Sequence, residues 1–500
     1  MANKNSRFSP FLKQCFVTAT VGLNIVGHGC VLGFPAVLLP QLHDPGSLIQ
    51  ITKEGDSWIA SITGIVMMVG SIIMLPLMRS SRKTAHYAVI APVLVGWSVT
   101  IAANSFQAIF IGRMLCGLSF GMLSPLRSVL IGEYTSPKNR GAFLTTVSLA
   151  QAFGIFFVHL IGSLLSWKTT AIICMIFPTL SFAMTIYCPE SPSWLASKGR
   201  HDDCRTVFRW LRGDDEDEEL ESMIQARILL ERREIAASNN RNSFKSAKET
   251  IKKREFYLPI IIMFHASCMI HFSGGTTMAS YSTKILGLLM GPDANTHFWM
   301  IVLDIQRIFS NTAAVYVINR AKRRTMMFAT GALSVVSHLA IAAYIYSRNQ
   351  NWVSNDGIAI PAILISVLYF AVSTGMVPLP NVIAGEVFPL EYKGIGGMMN
   401  MVSLSGFMFL VLKTFPGLVD SIGLNGTYLI YSAVLTYNLV VIWFTLPETK
   451  GRTLQEIEDE FRGKPLAPEE LEARKSLQFD PVEVHKRRES EWTGSTPFLS

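Results

Sequence analysis

Charged side chains are scarce in this chain. They make up 16% of its 500 residues against 50% hydrophobic ones, and the mean hydropathy is +0.34. A soluble domain carries about 25% charge, so a life free in water is excluded and the bilayer becomes the main solvent. No metal-ligand cluster, nucleophile motif or phosphate loop stands out, which removes the common soluble enzyme classes and leaves no cofactor and no metal expected. What fills the chain instead is apolar runs. A spanning helix needs roughly 20 mostly apolar residues, and such runs fall near 15–39, 57–77, 85–104, 107–131, 142–166, 168–187, 257–289, 297–318, 326–346, 358–385, 394–419 and 427–446.

The few charges are placed unevenly. Arg79, Arg82 and Lys83 follow span 2, Lys138 and Arg140 follow span 4, and Arg320, Lys322, Arg323 and Arg324 follow span 8. The opposite loops hold only isolated Lys53, Lys168 and Arg348. By the positive-inside bias both termini are cytoplasmic. The net charge of +8 is then a topology signal and argues against nucleic acid as a partner. Seven cysteines (15, 30, 116, 174, 188, 204 and 268) lie in or near spans or in a cytoplasmic loop, so no disulfide framework is implied. A basic, polar lead of about a dozen residues precedes a hydrophobic run too long for a cleaved signal, so span 1 is read as a retained anchor. One sequon, Asn425-Gly426-Thr427, falls in a short outer loop close to the bilayer, a poor place for its use.

Two polar runs mark the organisation: Pro189-Glu190-Ser191-Pro192-Ser193 after the sixth span and Pro447-Glu448-Thr449-Lys450-Gly451 after the twelfth. The chain therefore divides into two halves. We expect an all-α membrane protein of twelve transmembrane helices in two six-helix bundles. Its parts are a cytoplasmic N-terminus (1–14), a first bundle (15–188), a cytoplasmic linker with short helices (189–256), a second bundle (257–446) and a cytoplasmic tail (447–500). The linker's acidic run 214–219 and its basic Arg227, Arg232 and Arg233 recur at helical spacing and are read as a solvated face of short amphipathic helices under both halves. From about Leu466 the tail has no hydrophobic period and is expected to be mostly disordered. The halves repeat in detail: Glu133 precedes Arg140 and Gly141 by seven and eight residues, as Glu386 precedes Lys393 and Gly394.

These runs, with Gly112-Arg113, Phe272-Ser273-Gly274, Pro378, Pro380 and Lys413-Thr414-Phe415, resemble the sugar porter branch of the major facilitator superfamily, and within it the insect trehalose and hexose facilitators. The resemblance extends from span 1 through Glu458. It implies alternating access around a midplane site and plasma-membrane placement. It also implies an inner gate in which the bases Arg79, Arg82, Lys83, Arg140, Arg320, Arg323, Arg324 and Lys393 pair with Glu133, Glu190, Glu386 and Glu448 and lock the inner side while the carrier is open outward. Such pairs act as a latch because they form in one state and are solvated in the other; the alternative is that they only cap helix ends and set topology. The family's Asp or Asn is Met78 here, its Gly is Ser81, one Arg is Ser193 and another is Lys393, which loses the bidentate fork.

The same resemblance places the sugar contacts at Ile270, His271 and Thr276 in span 7, Ser148 in span 5, Asn381 in span 10, and Leu404 and Ser405 in span 11. Most of the amides and tryptophans that hold a hexose are thus replaced. His271, Thr276 and Gln151 retain hydroxyl-bonding groups. Arg307 falls where the family has a polar, cavity-facing asparagine. Asp304 stands three residues before it, in reach for pairing on one helix face, so Arg307 is either neutralised or free for a carboxylated solute; Arg127 is a further charge in span 4. At the family's proton-coupling position in span 1 stands His28 or, on another anchor, Asn24. Neither is an acid, so His28 is kept as a coupling candidate and facilitated diffusion is preferred to symport. The expectation is a uniporter of trehalose or a hexose, with an organic-anion or other nonsugar carrier and a non-transporting sensor as rivals.

Overall fold

In lipid a backbone has no partner but itself, so apolar runs become helices, and short polar residues set where they begin. Ser9, Thr52, Ser81, Ser105 and Ser166 each accept a first-turn N–H. The computed structural model describes residues 9–213, 216–221, 223–225, 252–291, 294–352, 357–389, 392–452 and 454–463. Spans 1 to 6 are Pro10–Leu42, Lys53–Ser80, Arg82–Ile101, Phe106–Tyr134, Pro137–Leu164 and Trp167–Tyr187, the last bent at Met175. Spans 7 to 10 are Arg254–Met290, Thr296–Arg320, Arg323–Asn349 and Ala359–Val387. Spans 11 and 12 run on as Lys393–Thr445, broken where Gly423 takes φ 75° and ψ 171°. With that break counted, the twelve expected spans are present.

Two spans are discontinuous. Span 7 stops at Phe272 and restarts at Gly275, with Gly274 at φ 94°, a left-handed turn that favours glycine. Span 10 widens to a π-turn over Val372–Met376 just before Pro378 and Pro380. Proline lacks the N–H that would close the preceding turn, which accounts for the irregularity.

Beneath the first half lie the linker helices Pro192–Ser197 and His201–Arg212. Gln14 Nε2 donates to Leu211 O at 3.3 Å and Arg212 Nη2 to Thr135 O at 2.9 Å, which fixes them to that half. On the described part of the acidic run, exposed carboxylates form surface ion pairs: Asp217 meets Arg209 at 2.9 Å, and Glu216 and Glu219 meet Arg212 at 3.1 and 2.8 Å. Hydrogen bonding to Arg209 holds the Asp217 carboxyl below its usual range. Arg227, Arg232 and Arg233 lie outside the described residues, as does the tail from 464. A helix at Leu454–Arg462 precedes that tail and packs beneath the second half, with Arg462 3.5 Å from Glu255 and with Ile457 and Phe461 buried.

The halves meet on the face opposite the basic loops, the outer face. Ser280 Oγ and Thr283 Oγ1 of span 7 donate to Leu32 O and Ala36 O of span 1, both at 3.2 Å. Lys413 of span 11 donates to Ser57 Oγ of span 2 at 2.8 Å and lies 4.0 Å from the Trp58 ring. Nearer the middle, Ser124 Oγ reaches Met401 Sδ at 3.0 Å. Among the described residues no ion pair joins the halves at the basic-loop face, and the contacts between the halves gather on the opposite face.

Within a half, helices touch through glycine. A Cβ at Gly154 would stand 2.9 Å from Gly29 Cα and closer still to Val26 O, whereas one at Gly132 would meet nothing within 4 Å. Gly154→Ala is therefore expected to lower stability by about 1–3 kcal/mol through overpacking of spans 1 and 5, and Gly132→Ala by less than about 0.5 kcal/mol. Thermal unfolding midpoints of the purified variants check this; equal midpoints would refute the contact.

Candidate functional site

The inner clusters form, and they form twice. Arg82 grips Glu133 with both edges, Nη2 to Oε1 at 2.8 Å and Nε to Oε2 at 2.9 Å. Arg323 reaches Glu386 Oε1 through Nη2 at 3.1 Å and Nε at 3.3 Å. Glu190 accepts the Arg82 and Lys83 backbone N–H groups at 3.0 and 3.3 Å, and Glu448 accepts those of Arg323 and Arg324 at 2.9 and 3.1 Å. Each glutamate thus sits on a helix N-terminus, where unpaired N–H groups favour an anion. The next residue closes the loop: Ser191 Oγ donates to Glu133 at 2.7 Å and Thr449 Oγ1 to Glu386 at 2.6 Å. Lys83 Nζ and Arg324 Nη2 then reach Ile186 O and Trp443 O, both at 2.8 Å.

All of these bonds stay within one half. Arg140 and Lys393, expected in the same gate, stand in the first turns of spans 5 and 11 with side chains outside the described set. Arg79 is exposed, with its carbonyl accepting Trp194 Nε1 at 3.3 Å. Arg320 stacks on Tyr316 at 4.3 Å.

At the expected solute positions, His271 Nδ1 bonds Thr276 Oγ1 at 2.8 Å across the Gly274 break. The His271 ring lies near the Leu404 backbone, yet its Nε2 makes no hydrogen bond among the described residues, and neither does the fully buried Ser405 Oγ. Ser148 and Gln151 are half-buried on span 5, and the Gln151 carbonyl packs on Gly29. Two positions are less suited. Ile270 is 8% exposed within the core, and Asn381 spends its amide on Val377 O at 3.0 Å. Leu404 packs against the core.

The expected pairing of Asp304 with Arg307 is corrected. Asp304 Oδ2 lies 2.5 Å from Nδ1 of His159 on span 5, a residue that carried no motif. Arg307 makes no ion pair with Asp304 among the described residues and lies 6.0 Å over the Tyr369 ring, with Nη1 unpartnered among those residues. Only the unpaired acid in span 8 could have announced a partner on another helix. His28 is fully buried, its ring between Asn24 O at 2.6 Å and Ser119 Oγ at 2.8 Å, where it ties span 1 to span 4.

Residues 14–461 match the family model "Sugar (and other) transporter". The chain belongs to that family. It is 26% identical over 469 residues to the facilitated trehalose transporter Tret1 of Polypedilum vanderplanki, covering 93% of this chain and 90% of that one. It is 27% identical over 445 residues to the Tret1 of Bombyx mori, covering 88% and 84%. The fold matches the inward open xylose transporter XylE from E. coli at a TM-score of 0.65 and 17% identity, over 90% of this chain and 100% of that one. A multi-pass sugar-porter-type facilitator with the major facilitator fold is thereby shown.

The family's inner motif is strengthened at one departure from it. Ser81, in place of glycine, accepts Thr84 N at 3.0 Å and also donates to Glu190. In Glu190→Ala the Arg82 and Lys83 amides lose their acceptor at a net cost of about 1.5 kcal/mol or more, so their hydrogen exchange is expected to quicken by roughly tenfold, with amides around Arg323 unmoved as the internal control. Unchanged exchange at 82 and 83 would refute the cap.

Proposed function

We propose that the protein carries trehalose or a hexose across the plasma membrane, with both termini cytoplasmic, by facilitated diffusion and not as an enzyme. The observation behind this is the pair of buried polar atoms without partners, His271 Nε2 and Ser405 Oγ, at two positions where the family holds sugar. A hydroxyl that donates and accepts satisfies both. Ser148, Gln151, Thr276 and Asn381 add polar edges, Ile270 and Leu404 an apolar wall, and the trehalose carried by the Tret1 relatives agrees with this reading. Span 7 bends at Gly274 to close the outer half and span 10 at Pro378 to close the inner one. Arg140 and Lys393 then cross to the opposite clusters, which favours the outward-facing form. His28, held on both sides by helix contacts, fits structure rather than coupling.

A second reading rests on Arg307. Its unpartnered Nη1, together with Arg127 in span 4, suits a carboxylated solute.

Purified protein in liposomes decides between these. The expected result is saturable uptake of labelled trehalose or glucose that ends at equilibrium and is not accumulated by a pH gradient. His271→Ala and Ser405→Ala should each raise the half-saturating concentration by about 5- to 150-fold, the equivalent of about 1–3 kcal/mol per lost bond. Folded protein that passes no sugar but passes a carboxylate in an Arg307-dependent way would replace the sugar reading with the anion reading. No flux of either solute would leave a sensor.

A further inference from the structure

The outer seal contains an ionisable pair that is shut away from water. Of the ion pairs that join the halves among the described residues, Lys53–Asp420 is exposed, whereas His159 and Asp304 have side chains 1% and 2% exposed. Four spans build the pocket. His159 comes from span 5, Asp304 from span 8, and the Ala279 carbonyl from span 7 lies 3.1 Å from His159 Nε2. Span 1 contributes Gly33, where a Cβ would crowd that nitrogen to 3.0 Å.

Hydrogen-bond chemistry counts the protons. A carbonyl oxygen only accepts, so Nε2 carries hydrogen. Nδ1 stands 2.5 Å from Asp304 Oδ2, and a bare ring nitrogen there would set lone pair against lone pair, so a second hydrogen lies between them. A neutral imidazole and a carboxylate bring only one. The closed seal therefore holds one proton more than these groups carry in neutral water, and without it a bare carboxylate would be buried in a dry interface.

We propose that His159 and Asp304 form a proton-binding site in the outer gate, and that the gate closes by taking one proton from the outside medium. His159 lies in one half, and Asp304 and Ala279 in the other, so opening must separate them into water. An imidazole in water binds its proton with a pKa near 6.5. Below that pH both states hold the proton and closure is indifferent to pH. Above it the open state has lost the proton that closure needs, so the closing constant falls about tenfold per pH unit. The proton returns outside when the gate reopens: it sets the cycling rate and drives no accumulation. The inference needs two rocking halves and no particular solute.

The other ionisable groups around the pair are Arg307 and Tyr369, which face each other on the Asp304 side, and His297 at the start of span 8.

Spin labels at positions 54 and 421, on the exposed outer ends of spans 2 and 11, report closure as a distance. They are placed in a Cys15→Ser background because the other six thiols are buried. In lipid nanodiscs between pH 5.5 and 8.5, the short distance should dominate up to about pH 6.5, and the ratio of open to closed should then rise about tenfold per pH unit. His159→Gln and Asp304→Asn should abolish that response, Asp304→Asn remaining closed throughout, and His297→Gln should keep it. A wild-type distribution indifferent to pH, or a response that survives in both His159→Gln and Asp304→Asn, would overturn the proposal.

Discussion

A charge inside a membrane must be paired or fully hydrogen-bonded, and in a two-bundle carrier the pairing must also allow the halves to part. Arg113 shows the permanent solution. Its guanidinium donates to Val31 O at 2.5 Å, Thr63 Oγ1 at 3.0 Å and Ile59 O at 3.2 Å, so spans 1, 2 and 4 are tied together inside one half. At the basic-loop face Arg82–Glu133 and Arg323–Glu386, with Glu190 and Glu448 on the neighbouring amides, are satisfied within their own halves. The opposite face also carries bonds that cross between the halves, from Ser280 and Thr283 to span 1 and from Lys413 to span 2.

The distribution of glycine and proline belongs to the same constraint. Where spans 1 and 5 must stay together, Gly29 and Gly154 bring backbones into contact. Spans 7 and 10 are instead broken at Gly274 and before Pro378, where the backbone departs from regular α-helix. Close backbone contacts hold spans 1 and 5 of the first half together, and within the second half the backbone of spans 7 and 10 is interrupted.

Much of the fold was legible in the chain itself. Apolar runs of the right length, short polar caps and the paired motifs after Cys188 and Leu446 located the spans and the twofold repeat. The arginine–glutamate clusters were legible too, because each is built from motifs at fixed spacing. At the positions expected to hold solute, which polar atoms lack partners among the described residues depends on the turn of each helix. Asp304 was misassigned because proximity along one helix favoured Arg307, whereas the structure gives it a histidine 145 residues away.

The sequence by itself determined the membrane class, the number of spans, the repeat and the helix-end clusters, since these follow from hydropathy and from neighbours a few residues apart. Only the tertiary structure decided on which face the halves meet, that the inner clusters close within their own halves, and that His159 meets Asp304. Those facts depend on how two packed bundles are tilted against each other, and local spacing along a chain carries no record of a rigid-body angle.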